Sequence, residues 1–208
     1  MRPQALLIAY GGGKVGTAFN PLDKSANILL TNNNLSYAQS STGEQGVRTV
    51  ASTTTGKFYT ECTWTNTPTG TDTGFGWCTA GASLTTLGST VTSACIAFKS
   101  GAVWVNGSSP GGVGSAFAQN DVICCAIDLV NSKVWFRKNG GNWNNSGTDN
   151  PATNTGGFSL SSFQTNNSTV MHGCGCVNVS QDLLTADFGD QVFGFTVPSG
   201  FKSGFPGV

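Results

Sequence analysis

Seven cysteines are the residues with the clearest capacity for chemistry in this chain of 208 residues. An odd number of thiols cannot all pair within one chain. Free cysteines are commonly small buried hydrophobes, and the alternative is at least one disulfide, within or between chains. The candidates for a disulfide or an exposed thiol are Cys124, Cys174 and Cys176.

One short segment combines cysteine with histidine. His172, Cys174 and Cys176 stand at alternate positions, so in a strand they would share one face at a spacing of roughly 6.5–7 Å. Zinc prefers four tetrahedral ligands, and three in a line cannot enclose an ion unless the flanking glycines kink the chain. A strand of small residues against a crowded core is the favoured interpretation, so we expect no metal and no cofactor.

Catalytic groups are scarce. His172 is the single histidine, so any Ser–His–Asp or Cys–His arrangement would have to use it. Glycoside hydrolysis needs two carboxylates that face one cleft. Asp121, Asp128, Asp187 and Asp190 stand instead at predicted strand ends or turns, where aspartate makes local hydrogen bonds. We therefore expect a protein that is not an enzyme, with a cleft glycosidase as the third alternative.

Composition disfavours charge-driven partners. Ten basic and ten acidic residues cancel, and charged residues are only 10% of the chain. Nucleic-acid binding through counterion release needs a basic face, and no Lys/Arg run exceeds Arg137-Lys138. The apolar run at residues 5–10 is far shorter than the roughly 20 residues that cross a bilayer, and it is thin for a signal peptide. We expect no nucleic-acid partner, no membrane and no signal peptide.

Short apolar segments between turn signals indicate an all-β chain. Glycine, threonine, serine and asparagine make up nearly half of the residues, which does not suit a helical bundle. Runs of Val, Ile, Thr and aromatics between closely spaced turns predict a sandwich or barrel. Residues 181–186 are the one stretch in which a short helix is considered. The tryptophans assigned to the core are Trp64, Trp77, Trp104 and Trp135.

Residues 121–140 form a predicted hairpin with Asn131-Ser132 at its tip. Alternate residues of a strand point to opposite faces. Cys125 therefore lies in the core, and Cys124 lies on the opposite face, where either another element covers it or a partner can reach it. The inward set is Ile123, Cys125, Ile127 and Leu129.

Residues 141–169 form a long polar loop, and long ordered loops are often functional. Trp143 stands among amides there. A tryptophan flanked by amides can stack on a sugar ring and hydrogen-bond its hydroxyls. The alternative is that Trp143 plugs one end of the sandwich. The candidate ligand-binding residues are Asn142, Trp143, Asn144 and Asn145.

Several segments together resemble the SPRY (B30.2-like) domain. The strongest is residues 121–140, which follow the family order of an Asp, alternating apolar residues, Asp-Leu, a tight turn, a Trp-Phe strand and Asn-Gly. Weaker similarities occur in the right order, and the resemblance covers residues 18–190. These further segments are Gly56–Glu61, Gly74–Trp77, Val105–Gly107 and Ala186–Gly189.

Residues 135–157 are similar to the bacterial and bacteriophage version of the domain. They read W-F-R-K-N-G-G-N-W-N-N-S-G, followed by Asn150-Pro151-Ala152 and Gly156-Gly157. The resemblance implies an all-β, antiparallel two-sheet sandwich of the concanavalin-like jelly-roll type. It also implies a binding or structural module, usually without catalysis. Eukaryotic relatives bind peptides through loops at one end, but those loops differ, so no individual ligand contact can be transferred to this chain.

We expect an N-terminal arm at residues 1–17, the sandwich at residues 18–190 and a C-terminal strand or arm at residues 191–208. The arms either tuck onto their own domain or pair with the sheet edge of a neighbour. The expected role is a non-enzymatic bacteriophage virion component, such as a decoration, collar or fibre of capsid, neck or tail. It would be made in the host cytoplasm and assembled with other virion proteins as a homo-oligomer. The alternative is recognition of a glycan or protein on the host surface.

Overall fold

Alternating apolar residues and frequent turns produce two antiparallel sheets in a sandwich, as predicted. The computed structural model describes residues 17–87, 93–165, 168–179 and 182–205. The first sheet has the order β1 (Phe19–Lys24), β4 (Gln45–Thr49), β13 (Met171–Val177), β6 (Gly74–Thr79), β7 (Ala94–Phe98), β8 (Ala102–Val105) and β9 (Ser108–Gly112). The second has the order β12 (Phe158–Ser159), β11 (Lys133–Lys138), β10 (Val122–Asp128), β5 (Lys57–Trp64), β14 (Leu184–Asp187), β3 (Ser36–Gln39) and β2 (Ile28–Thr31). A short parallel strand, β15 (Lys202–Ser203), also pairs with β5.

The hairpin of β10 and β11 confirms the pattern predicted for residues 121–140. Cys125 pairs with Phe136 of β11 and with Thr60 of β5. Cys125 lies in the core between the sheets, whereas Cys124 belongs to a separate apolar cluster on the outer face. The predicted inward set is all in the core between the sheets: Ile123, Cys125, Ile127 and Leu129.

The four predicted core tryptophans are divided among three clusters. Trp64 and Trp77 are fully buried between the sheets. Trp135 is also fully buried, but it packs on the outer face of the second sheet. Trp104 packs, partly buried, on the outer face of the first sheet. All four tryptophans therefore pack in apolar clusters, as predicted, although Trp104 and Trp135 lie on the outer faces of the sheets, which carry apolar cover of their own.

Two further differences concern regions where the local pattern is weak. Residues 184–187 form strand β14 rather than part of a helix, because they complete the second sheet between β5 and β3. In the residues that the structure describes, the two helical segments are single 3-10 turns, at Trp143–Asn145 and Pro151–Thr153. Among the described residues, no helix has the length and apolar character needed to cross a bilayer.

Residues 191–205, here called the C-terminal strap, cross the outer face of the second sheet. Glu61 holds the strap: its carboxylate accepts hydrogen bonds from the backbone N–H groups of Gly194 and Phe195, both at 2.9 Å. The same carboxylate accepts the Tyr59 hydroxyl at 2.6 Å. Glu61 is only 5% exposed, so its charge is solvated by these donors rather than by water.

The far end of the strap enters the core. Phe205 is buried, and its ring centroid lies 4.6 Å from that of Trp77 and 5.3 Å from that of Phe58. Of the two alternatives for the arms, residues 191–205 tuck onto their own domain. The predicted N-terminal arm, apart from Thr17, lies outside the described residues.

Asp128 gives a prediction about acid stability. Its carboxylate is fully buried, bonds Lys57 Nζ at 2.8 Å and accepts the amide of Asn131 at 2.7 Å. Burial opposes its ionisation, but the hydrogen bonds from Lys57 and Asn131 outweigh burial and lower the pKa of Asp128. Its stabilising contribution is therefore present at neutral pH and is lost as the pH falls through the lowered value. Asp128→Asn should cost about 1–3 kcal/mol at neutral pH, measured by urea unfolding.

The difference between wild type and Asp128→Asn should shrink as the pH falls below about 4, the ordinary range of a carboxyl group. Asp187→Asn is the matched control. Burial, together with neighbouring Glu61 and Asp190, raises the pKa of Asp187, so ionisation of Asp187 at neutral pH opposes folding. This variant should not lose stability at neutral pH. A loss in Asp128→Asn that is independent of pH would contradict the prediction.

Glu61→Gln should loosen the strap while leaving the sandwich folded. The glutamine retains one acceptor oxygen for three donors, and its amide N–H₂ would face other N–H groups. We expect a cost of about 1–3 kcal/mol. In hydrogen exchange, the amides of Gly194 and Phe195 should lose protection, while those of β10 remain protected. Equal loss of protection in strap and sandwich would show that Glu61 does not act on the strap alone.

Candidate functional site

Trp143 is buried under the loop rather than presented by it. The side chain is 8% exposed. Its ring meets Tyr59 edge to face at 6.3 Å between centroids, and Cζ of Arg137 lies 4.2 Å from its centroid. Tyr59 and Arg137 therefore cover the surface of the Trp143 ring on which a sugar would have to stack. Trp143 is therefore buried in the apolar cluster on the outer face of the second sheet rather than at an end of the sandwich, and its ring is not offered to a sugar.

Asn144 fixes the shape of the loop. Its Oδ1 accepts the backbone N–H of Phe136 at 2.9 Å, and its Nδ2 donates to Asp149 at 2.8 Å. Asp149 also accepts the backbone N–H of Gly157 at 3.1 Å. Burial raises the pKa of Asp149, but these hydrogen bonds outweigh it and leave the pKa lowered. Asn144 thus ties β11 to the far side of the loop, and its amide is not offered to a ligand.

Asn142 and Asn145 remain exposed. Asn145 has a left-handed backbone, with φ of 57°, which asparagine tolerates better than most residues. This conformation turns Asn145 toward the hairpin of β8 and β9 in the first sheet. Of the four candidate ligand-binding residues, two are therefore exposed and two stabilise the loop.

An open groove of about 420 Å³ lies between this loop and the first sheet. No lining residue has a strongly acidic or basic side chain, so the groove is neutral. The lining side chains are small, which lets a ligand approach the backbone closely. The lining residues are Ser100, Gly101, Ala102, Gly111, Gly112, Gly114, Asn144 and Asn145.

The sequence indicates only part of this groove. The turns at Ser100-Gly101 and Pro110-Gly111-Gly112 are evident as turns, and the asparagine loop is evident as a candidate site. Their meeting depends on β9 forming the edge of one sheet while β11 lies near the edge of the other. Phe158 of β12 lies against Gly111 of β9, where an added Cβ would be 3.1 Å from its ring. That packing brings the two sheet edges together.

All seven cysteines are free and buried. Cys124 lies on the outer face of the second sheet, in the cluster covered by the strap and Trp143. Burial raises the pKa of its thiol to about 11, so it is protonated and unreactive at neutral pH. Cys174 and Cys176 lie on the outer face of the first sheet against Leu84 and Leu87. The structure thus contains neither the disulfide nor the exposed thiol considered for these three positions.

His172 does not form a metal centre with its cysteine neighbours. Its Nδ1 lies 3.1 Å from the backbone oxygen of Thr49. In the described part of the chain, no group of three His, Cys, Asp or Glu side chains could hold a metal ion. Cys174 and Cys176 are instead packed among apolar residues of the first sheet.

The buried carboxylates are occupied by backbone donors. Asp182 is fully buried and accepts the N–H groups of Thr69 at 2.7 Å and Gly70 at 3.0 Å. Glu61 accepts the N–H groups of the strap. Neither carboxylate lines the groove. Both therefore stabilise loops rather than face a ligand.

Comparison with known proteins agrees with this architecture. The fold is similar to the crystal structure of the SPRY domain of human HERC1, with a TM-score of 0.63 and 17% identity over 81% of this chain and 96% of that one. It is also similar to a human SPRY domain (TM-score 0.58, 16% identity, 80% and 98% covered) and to the TRIM65 PSpry domain (0.55, 12%, 84% and 93%). No curated protein matches the sequence.

The sequence itself matches the SPRY domain over residues 57–172, which is more than half of the chain. This range contains the β10–β11 hairpin and every residue that lines the groove. SPRY domains are generally non-catalytic modules that bind other proteins. The chain belongs to the SPRY domain family.

Proposed function

We propose that this chain is a non-enzymatic protein-binding module that serves as an accessory component of a bacteriophage particle. It would act on the capsid, neck or tail, in contact with other virion proteins, after synthesis in the host cytoplasm. The observation that carries the binding role is the neutral groove beside Asn145 on a SPRY sandwich. The similarity of residues 135–157 to bacteriophage versions of the domain supports the proposal that the chain is part of a phage particle.

The groove suits an extended segment of a partner protein. Within the described part of the chain, β9 is an edge strand with a neighbour on one side only, so alternate backbone groups point away from β8. An extended segment can hydrogen-bond to such groups by strand addition. Pro110 has no N–H and limits this pairing to the residues that follow it, which are those that line the groove.

Ser100→Trp should block the groove. Ser100 is exposed and lines the groove, so a large ring there would occupy the groove at the cost of one exposed hydrogen bond, which its Oγ accepts from the backbone N–H of Ala102 at 3.3 Å. We expect at least a tenfold loss of binding to the particle, while the free energy of unfolding falls by no more than about 1.5 kcal/mol. Incorporation into purified particles of the encoding phage, measured by quantitative mass spectrometry, is the readout.

Ser109→Trp is the matched control, because Ser109 is equally exposed on β9 but does not line the groove. It should be incorporated normally. The neutral lining also predicts that incorporation depends little on salt. Absence of the wild-type chain from washed particles would refute the proposed role, and equal effects of the two variants would refute the proposed site.

Recognition of a host-surface glycan is the second candidate. It is favoured by the exposed Asn145 amide and Ser100 hydroxyl in the groove and by the lack of charge there. A glycan array probed with wild type, Ser100→Trp and Ser109→Trp separates the candidates. Glycan recognition would be favoured if Ser100→Trp abolished glycan binding and Ser109→Trp did not, while both variants were still incorporated into particles normally. Trp143→Ala is unsuitable as a probe, because the ring is buried and its loss should cost about 3–5 kcal/mol.

A further inference from the structure

The edge of β9 directs the backbone groups of one residue into the groove. The backbone N–H of Val113 donates to the carbonyl oxygen of Gly101 at 2.8 Å, so Val113 faces the chain that begins β8. Successive residues of a strand direct their N–H and C=O groups to opposite sides, so Gly112 directs its own groups away from β8. No strand lies on that side in the described part of the chain, and Gly112 lines the groove. A ligand there meets one donor and one acceptor.

Beyond Gly112, a side chain continues this edge. β9 ends at Gly112, and Gly114 has a φ of 92°, which an extended strand does not adopt. The carboxamide of Asn145 lies over Gly114: its Oδ1 and Nδ2 are 2.6 Å and 3.2 Å from the point where a Cβ on that glycine would stand. Alternate residues of a strand face the same side, so residue 114 would be the next to face the groove. The Asn145 carboxamide lies beside that position.

The carboxamide of Asn145 is available to a ligand. It has the same kinds of donor and acceptor as a peptide group. Asn145 is exposed and lines the groove, and among the described residues its side chain has no hydrogen-bond partner. Its backbone is held by a left-handed φ of 57° and by a hydrogen bond from its N–H to the carbonyl oxygen of Asn142 at 3.2 Å. The group is therefore in place before a ligand arrives, which favours binding.

The preceding residue shows that a loop carboxamide can take the place of a strand in this fold. β12 pairs with β11 at Lys133 and Val134. Farther along β11, Oδ1 of Asn144 accepts the backbone N–H of Phe136 at 2.9 Å, a bond that a neighbouring strand would otherwise make. Asn144 thus closes an edge of the second sheet with its amide. Asn145 offers the same group at an edge of the first sheet, where a ligand can use it.

We propose that the groove binds an extended polypeptide segment through its main chain, with Gly112 and Asn145 as two successive hydrogen-bonding positions. The proposal rests on the protein-binding role proposed above and specifies the ligand of that site. Each position presents a donor and an acceptor, so alternate peptide groups of the segment bond to the groove. Because the lining side chains are small and neutral, an extended conformation matters more for recognition than the charge of the segment.

N-methylation of a bound peptide tests the main-chain contacts directly. A displayed library of random short peptides is selected on the wild-type chain, and the tightest binder is resynthesised with single backbone N-methyl groups. Methylation at alternate residues should weaken binding roughly tenfold, the equivalent of one lost hydrogen bond, and methylation between them should have little effect. Sensitivity that does not alternate, or a selection that yields no binding peptide, would overturn the proposal.

Asn145→Gly tests the carboxamide. Glycine adopts the left-handed φ of this position without strain, so the loop should keep its shape. We expect a roughly tenfold weaker affinity for the selected peptide in isothermal titration calorimetry, and no binding to Ser100→Trp. The matched control is Asn142→Ala, which removes an exposed carboxamide of the same loop outside the groove, at an ordinary φ of −66°. This variant should bind as the wild type does.

Equal affinities of Asn145→Gly and wild type, or binding that survives Ser100→Trp, would refute main-chain recognition at this groove. The assays use the purified chain and synthetic peptides, so they do not depend on a particle. Peptide binding without incorporation would contradict only the virion role. Incorporation that Ser100→Trp blocks and Asn145→Gly leaves unchanged would contradict only the role of Asn145.

Discussion

The second sheet is apolar on both faces, and its need for cover on both sides governs the rest of the structure. β5 places Phe58 toward the first sheet and Tyr59 toward the outside, and both are almost completely buried. One face is covered by the first sheet. The other would be exposed in a simple sandwich, so the loop at Trp143 and the C-terminal strap must lie where they do. The carboxylate of Glu61 couples this cover to the sheet, because it is buried only when the strap supplies its donors.

The distribution of asparagine follows from the turns that this arrangement needs. Asn144, Asn145 and Asn154 all have positive φ, which asparagine adopts at lower cost than other residues with a side chain. Asn139 does the same after β11 and bonds the backbone N–H of Val122 through its side chain. The polar loop is therefore shaped by its own amides. Because these amides fix the conformation of the loop, the groove beside it keeps a defined shape without any charged side chain.

The parts of the fold that could be predicted are those specified by residues close together in the sequence. In β10 and β11 the alternation of apolar residues and the turn between them specify a hairpin and its inward face without reference to the rest of the chain. β1 is different: it contains Pro21 and pairs irregularly with β4, so Phe19 opposes Thr49 while Lys24 opposes Val47. That irregularity breaks the alternation, and no strand is evident in the sequence there.

The candidate site shows the same division. A polar loop with one tryptophan could be identified from residues 141–169, but the direction of Trp143 could not. Its burial depends on Arg137 and Tyr59, and Tyr59 is more than 80 residues away in sequence. The groove likewise requires the edges of two sheets to meet, which no local pattern reports.

The burial of all seven thiols determines how the protein responds to the redox conditions around it. Each sulfur is buried, and burial shields a thiol from oxidants in the solvent. The covalent structure is then the same in reducing and in oxidising surroundings. A chain built this way needs no oxidative maturation: it reaches its final form where it folds and keeps that form when the redox potential around it changes.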